Sequence, residues 1–103
     1  MAEPSVRILF FARVAEEGEA RFLDAYDSIR DRVAAADGHL GEELCQSADD
    51  PQQWLITSEW ATAGHYATWA RAHGFSQLSD PITRTTVERV HRRFLVRRGT
   101  PRR

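Results

Sequence analysis

From Val6 to Val14 the chain reads VRILFFARV, which sets Val6, Ile8, Phe10, Ala12 and Val14 on one face and Arg7, Leu9, Phe11 and Arg13 on the other. That period of two predicts a strand, here with both faces partly buried. After Glu16-Glu17-Gly18 the period lengthens, and Phe22, Tyr26, Ile29 and Val33 fall on the stripe of an amphipathic helix running to about Ala36. Acids cluster at its start, where the helix dipole favours them, and Asp37-Gly38 ends it. Leu40 to Gln46 reads as a strand, with Leu40, Glu42, Leu44 and Gln46 alternating against Gly41, Glu43 and Cys45. A turn at Ala48-Asp49-Asp50-Pro51 leads to a second strand, Trp54 to Trp60, so the pair forms an antiparallel hairpin. Thr62 is placed to cap a helix over Ala63 to Ala72 whose inward face carries Tyr66, Trp69 and His73, with Gly74 closing it. Phe75, Leu78 and Ile82 continue a helical spacing through a segment broken at Pro81, and Thr86 to Val96 returns to strand alternation.

The order β-α-β-β-α-β predicts an α+β, ferredoxin-like fold: a four-stranded antiparallel sheet with its helices on one face. The other face then carries Leu9, Phe11 and further apolar groups with nothing over them, more than a monomer tolerates, so a homodimer built sheet to sheet is expected. A chain of 103 residues supports one core, expected over residues 1–98, with the apolar-free GTPRR of 99–103 as a disordered basic tail. With 42% hydrophobic and 28% charged residues the composition is that of a folded domain rather than a disordered one. The fourteen basic residues, all Arg, face fifteen acids for a net charge of −1, so nucleic-acid binding is not expected. The longest apolar run, Ile8 to Ala12, is far short of a membrane span, and the acidic start Met-Ala-Glu-Pro-Ser is unlike a signal peptide; a cytoplasmic protein without membrane contact is expected.

The stretch WLITSEWATAGHYATWARAHGF, Trp54 to Phe75, carries a resemblance. A strand ending in Trp, here Ser58-Glu59-Trp60-Ala61-Thr62, followed at once by an aromatic-rich helix, resembles the antibiotic biosynthesis monooxygenase family of dimeric α+β barrels. Gly38-His39-Leu40 and Asp49-Asp50-Pro51 are also similar to its pattern, so the likeness covers about residues 6–96. The quinone-forming members act on aromatic polyketides without metal, flavin or haem, using a strand Asn, a Trp four residues on and a Tyr six beyond that. Trp60 and Tyr66 match in type and spacing, and Ile56 stands at the Asn position. In the haem-degrading branch a helix Trp matches Trp69, while Ala12 and Ser79 stand where its Asn and His would be. The resemblance therefore implies a cofactor-independent monooxygenase oxidising a phenolic or enolic aromatic polyketide intermediate with dioxygen. A polyketide cyclase of the same fold acting without oxygen, and a non-catalytic accessory or ligand-binding protein, remain open alternatives.

That chemistry needs a phenol or enol to lose its proton, because the anion gives an electron to dioxygen far more readily than the neutral form. It also needs an apolar aromatic pocket that keeps water from the intermediates. Tyr66, Trp60 and a base, His73, are the expected catalytic groups, with Trp69, Phe75, Arg89, Ile56 and Phe10 contacting substrate. His73 is preferred over His65 because it follows Trp69 by one turn on the inward face. Arg89 alternates with Val87 and His91 on one side of the last strand, where a cation could hold a phenolate. Plain structural roles compete throughout: the tryptophans as core, His39 as a turn residue, Cys45 as an inert buried thiol, the C-terminal arginines as a solvated edge. No His-x-x-x-His, Cys pair or phosphate-cradling glycine loop is present, so no metal or nucleotide cofactor is expected.

Overall fold

The computed structural model describes residues 3–73 and 80–100, the side chains of residues 73 and 80 excepted. Strand β1 (Val6–Arg13) is followed by a 3-10 turn at Glu16–Gly18, helix α1 (Glu19–Ala34), β2 (His39–Gln46), β3 (Gln53–Trp60), helix α2 (Ala63–His73), a short helix α3 (Asp80–Arg84) and β4 (Glu88–Leu95). The strands form one antiparallel sheet in the order β2-β3-β1-β4. This is the expected ferredoxin-like α+β fold with one added element. Pro81 does not break a helix but occupies the first turn of α3, where its missing N–H has no partner to lose.

The inner sheet face is covered by α1, α2 and α3, and it buries two clusters. Phe22 of α1 packs on Trp54 of β3 with ring centroids 5.3 Å apart, joined by Ala12, Val14, Ala25, Tyr26 and Ile82. Val6, Ile8, Trp60 and Tyr66 make the second, with Val33 and Trp69 packed against it.

Local signals explain the connections. Gly38 has φ of +83°, and a Cβ there would collide with the His65 ring, so only glycine fits the turn from α1 into β2. Its carbonyl accepts a 2.7 Å bond from Ala61 N–H, which ties this turn to the start of α2. Thr62 caps α2 as expected, its Oγ1 accepting from His65 N–H at 3.1 Å.

Strand β2 departs from simple alternation. A bulge between His39 and Gly41 turns Leu40 outward, 58% exposed, and turns the His39 side chain inward to 5% exposure. His39 is thus a buried residue edge-on to Trp60 at 5.2 Å rather than a turn residue at the surface. Cys45 is a correction of the same kind. It is exposed, because the register opposite Leu55 puts it on the outer face.

Candidate functional site

Where the two clusters meet, the sheet and helices leave a cavity of about 110 Å³. Its floor is Ile8 and Phe10 of β1 with Ile56 and Ser58 of β3; its roof is Tyr26, Ile29 and Val33 of α1 with Tyr66 and Trp69 of α2, and Ile82 of α3. Trp60 closes one side, and Glu42 and His91 enter from the two edge strands, β2 and β4.

The aromatic wall is built by the short β3–α2 connection. Trp60, 1% exposed, meets Tyr66 at 5.6 Å and Trp69 at 5.5 Å between centroids, and Tyr66 lies 6.2 Å from Trp69. The Trp60 indole donates from Nε1 to Ser58 Oγ at 3.1 Å, which satisfies its polar edge and fixes the ring.

Two polar pairs stand in this apolar setting. Tyr66 Oη lies 2.9 Å from His91 Nε2, with the rings stacked at 6.0 Å and 28°. Burial pushes the His91 pKa down, helped by the neighbouring Arg93 and Arg92, so the imidazole is neutral at neutral pH. Burial pushes the Tyr66 phenol up, with Arg93 opposing in part, so it keeps its proton. With the His91 proton on Nδ1, Tyr66 donates and His91 accepts: an unprotonated nitrogen backed by a phenol at the cavity wall. On the opposite edge Tyr26 Oη donates to Glu42 Oε2 at 2.8 Å, and burial first, then the Glu42 carboxylate, raises the Tyr26 phenol.

Of the residues expected to act, Trp60, Tyr66, Trp69, Ile56 and Phe10 converge on this cavity. Arg89 does not line it. Its guanidinium turns back to the end of α3, donating to Thr86 Oγ1 at 2.9 Å and to the carbonyls of Thr86 and Thr83 at 3.2 and 3.3 Å. Three carbonyl and hydroxyl acceptors at a helix C-terminus hold a cation there in preference to the cavity. His91, its neighbour on the same face, enters instead. His73 ends α2 with its side chain outside the description, and Phe75 lies outside the described residues. His65 faces a surface groove, its Nδ1 2.8 Å from Thr62 Oγ1. Glu42 and Tyr26 were not singled out by the sequence reading. A carboxylate sharing the inward phase of Leu44 was the available signal.

Residues 5–80 match the profile of the antibiotic biosynthesis monooxygenase family, and the chain belongs to that family. Among its relatives are a 42.8 kDa protein in the whiE locus of Streptomyces coelicolor, 41% identical over 96 residues, and protein SchA of Streptomyces halstedii, 40% identical over 77 residues. These alignments cover 92% and 75% of this chain but only 24% and 20% of the relatives, so the chain spans about a quarter or less of their length. Among solved structures the fold is similar to SnoaB, a cofactor-independent oxygenase from Streptomyces nogalater, with a TM-score of 0.82 at 15% identity, covering 96% of this chain and 99% of that one. Among the described residues no helix is long and apolar enough to cross a membrane.

Proposed function

We propose that the cavity is the reaction site of a cofactor-independent monooxygenase acting on a phenolic or enolic aromatic polyketide intermediate. The observation that carries this is the 2.9 Å Tyr66–His91 pair set in a mostly aromatic and aliphatic wall. Membership of the family, the likeness of fold to an oxygenase and a further relative described as polyketide synthase CurD of Streptomyces cyaneus support it.

His91, held neutral by burial, takes the phenolic proton directly or through the Tyr66 hydroxyl. The phenolate then passes one electron to dioxygen, and the substrate radical and superoxide combine at the ring carbon para to the oxygen. The peroxide collapses as that carbon loses its proton and the O–O bond breaks, leaving a quinone and one water for each phenol and dioxygen consumed. Trp60, Trp69 and Ile56 keep bulk water from the radical pair.

Ile56 also favours a second reading. At the centre of the floor, paired with Phe10 and Leu44, it offers no amide to a developing oxyanion. A cyclase would use the same pair to enolise a poly-β-ketone and would consume no oxygen. Oxygen uptake with hydroxylated naphthalenes and anthracenes decides between them. The first reading expects one dioxygen per quinone, and product formed under strict anaerobiosis overturns it. Tyr66→Phe and His91→Gln should each lower turnover about 100-fold. The Tyr66→Phe change should alter stability by only about 1 kcal/mol. Unaltered turnover in both variants removes this pair from the chemistry.

The outer sheet face belongs to the same proposal. Cys45, Leu55, Phe11 and Val90 form one row across all four strands, with Leu9 beside it and Phe94 beyond Arg92. Val90 is 44% exposed, and the row is an apolar surface that a second copy would cover, completing the dimeric barrel.

A further inference from the structure

Glu42 enters the cavity from the edge strand opposite the Tyr66–His91 pair. In the sheet order β2-β3-β1-β4 the two stand on the outermost strands, three interstrand steps or about 14 Å apart across the sheet and offset by two residues along it. The side chain is 14% exposed, yet a carboxylate has about four acceptor positions and, among the described residues, only Tyr26, on Oε2, donates to it within hydrogen-bond distance. On its other side His39 Nε2, fully buried and without a hydrogen-bond partner, is aimed at Glu42 Oε1 but stops at 3.9 Å. A buried carboxylate with spare acceptor capacity and a buried ring nitrogen left short of it is costly in a merely structural pair. Both groups gain if a hydroxyl comes to the carboxylate.

We infer that Glu42 is a second polar pole of the cavity, accepting a hydrogen bond from a hydroxyl at the end of the substrate remote from Tyr66 and His91. The inference rests on the reading of the cavity as an aromatic-ligand site and narrows its occupant. The ligand is a linearly fused aromatic carrying hydroxyl donors at both ends, one presented to His91 and the other to Glu42. Tyr26 positions the carboxylate, and Glu42 sets specificity without taking part in proton removal.

The test is binding without turnover, followed by quenching of the tryptophan fluorescence, since Trp60 and Trp69 both line the cavity. The probes are naphthalene-2,6-diol and 2,6-dimethoxynaphthalene, the second having oxygens in the same places but no donor. Glu42→Gln removes the charge and keeps the shape, and should weaken the diol about tenfold while leaving the diether unchanged. Tyr26→Phe breaks the same internal hydrogen bond but leaves the carboxylate, so the preference for the diol over the diether should persist there, whereas Glu42→Gln should abolish it. A purely structural pair predicts the same change in both variants. Equal weakening in both, or unaltered diol binding in Glu42→Gln, overturns the inference. If Glu42→Gln fails to fold, Tyr26→Phe still decides: a diol preference lost there overturns it, and one retained supports it. Native protein that binds neither probe overturns the aromatic-ligand reading and this inference with it, whereas equal binding of both by native protein overturns the pole alone.

Discussion

The two faces of the sheet are made by the same four strands, yet they behave as different materials. Inward, Val6, Ile8, Ala12, Trp54 and Trp60 are buried under the helices, and Ile8 and Trp60 help to line a cavity that holds the hydrogen-bonded pairs Tyr26–Glu42 and Tyr66–His91. Outward, the row Cys45, Leu55, Phe11 and Val90 is flanked by surface ion pairs, Arg7–Glu59 at 2.8 Å and Arg13–Asp50 at 2.9 Å. On the inner face burial changes the chemistry of a side chain, lowering one pKa and raising others. On the outer face the ionic groups stay solvated against opposite charges, the Arg13 guanidinium holding the Asp50 carboxyl below the usual carboxylate range, and the apolar row lies among them. The inner face is therefore the place proposed for reaction and the outer face the place proposed for assembly.

Cutting into the inner face should have the largest effect. Trp60 joins β3, α2 and the His39 bulge, so Trp60→Ala leaves a void that three elements cannot refill, and unfolding by denaturant should show a loss of about 3–5 kcal/mol. A loss under about 1 kcal/mol would mean that the wall is plastic and the contrast overstated. On the outer face the effect should fall on assembly. The native chain should sediment at roughly twice 11.8 kDa at micromolar concentration. Phe11→Asp, which puts a charge in the middle of the apolar row, should sediment as a folded monomer with its circular dichroism retained. A native monomer at that concentration removes the second copy from the proposal.

Much of this contrast is legible in the sequence, because alternation is a local property. VRILFFARV assigns every β1 residue to its face, and the helical stripe Phe22, Tyr26, Ile29, Val33 names the side of α1 that meets the sheet. The aromatic wall is legible too, since Trp60 and Tyr66 are separated only by a capped turn. What fails is whatever depends on a break in the period or on a long side chain choosing between partners. One extra residue at the His39–Gly41 bulge exchanges the roles of His39 and Leu40, and no strand rule marks it. Arg89 and His91 share a face, but the open carbonyls at the end of α3 claim the guanidinium and leave the imidazole for the cavity. Glu42 and Tyr26 meet across β2 and α1, sixteen residues apart, a pairing that only the packed structure creates.

The smallest expected effect sharpens the comparison at one side chain. Burial, with Arg93 and Arg92 nearby, holds the folded-state pKa of His91 below its unfolded value of about 6.5. Above that value both states are neutral there, and the stability linked to His91 is fully present. As the pH falls through 6.5 the unfolded chain takes up a proton that the folded chain resists, so this stability is lost progressively until the pH has passed through the lower, folded value. His91→Gln has no such proton to take up. Urea midpoints for the native and variant chains at pH 7.5, 6.5 and 5.5 should therefore draw together, the native chain losing ground to the variant as the pH drops. Midpoints that fall in parallel would show that His91 protonates as easily folded as unfolded. That corner of the inner face would then be as wet as the outer one, and the imidazole beside Tyr66 would carry a charge in the range where the proposed reaction needs it unprotonated.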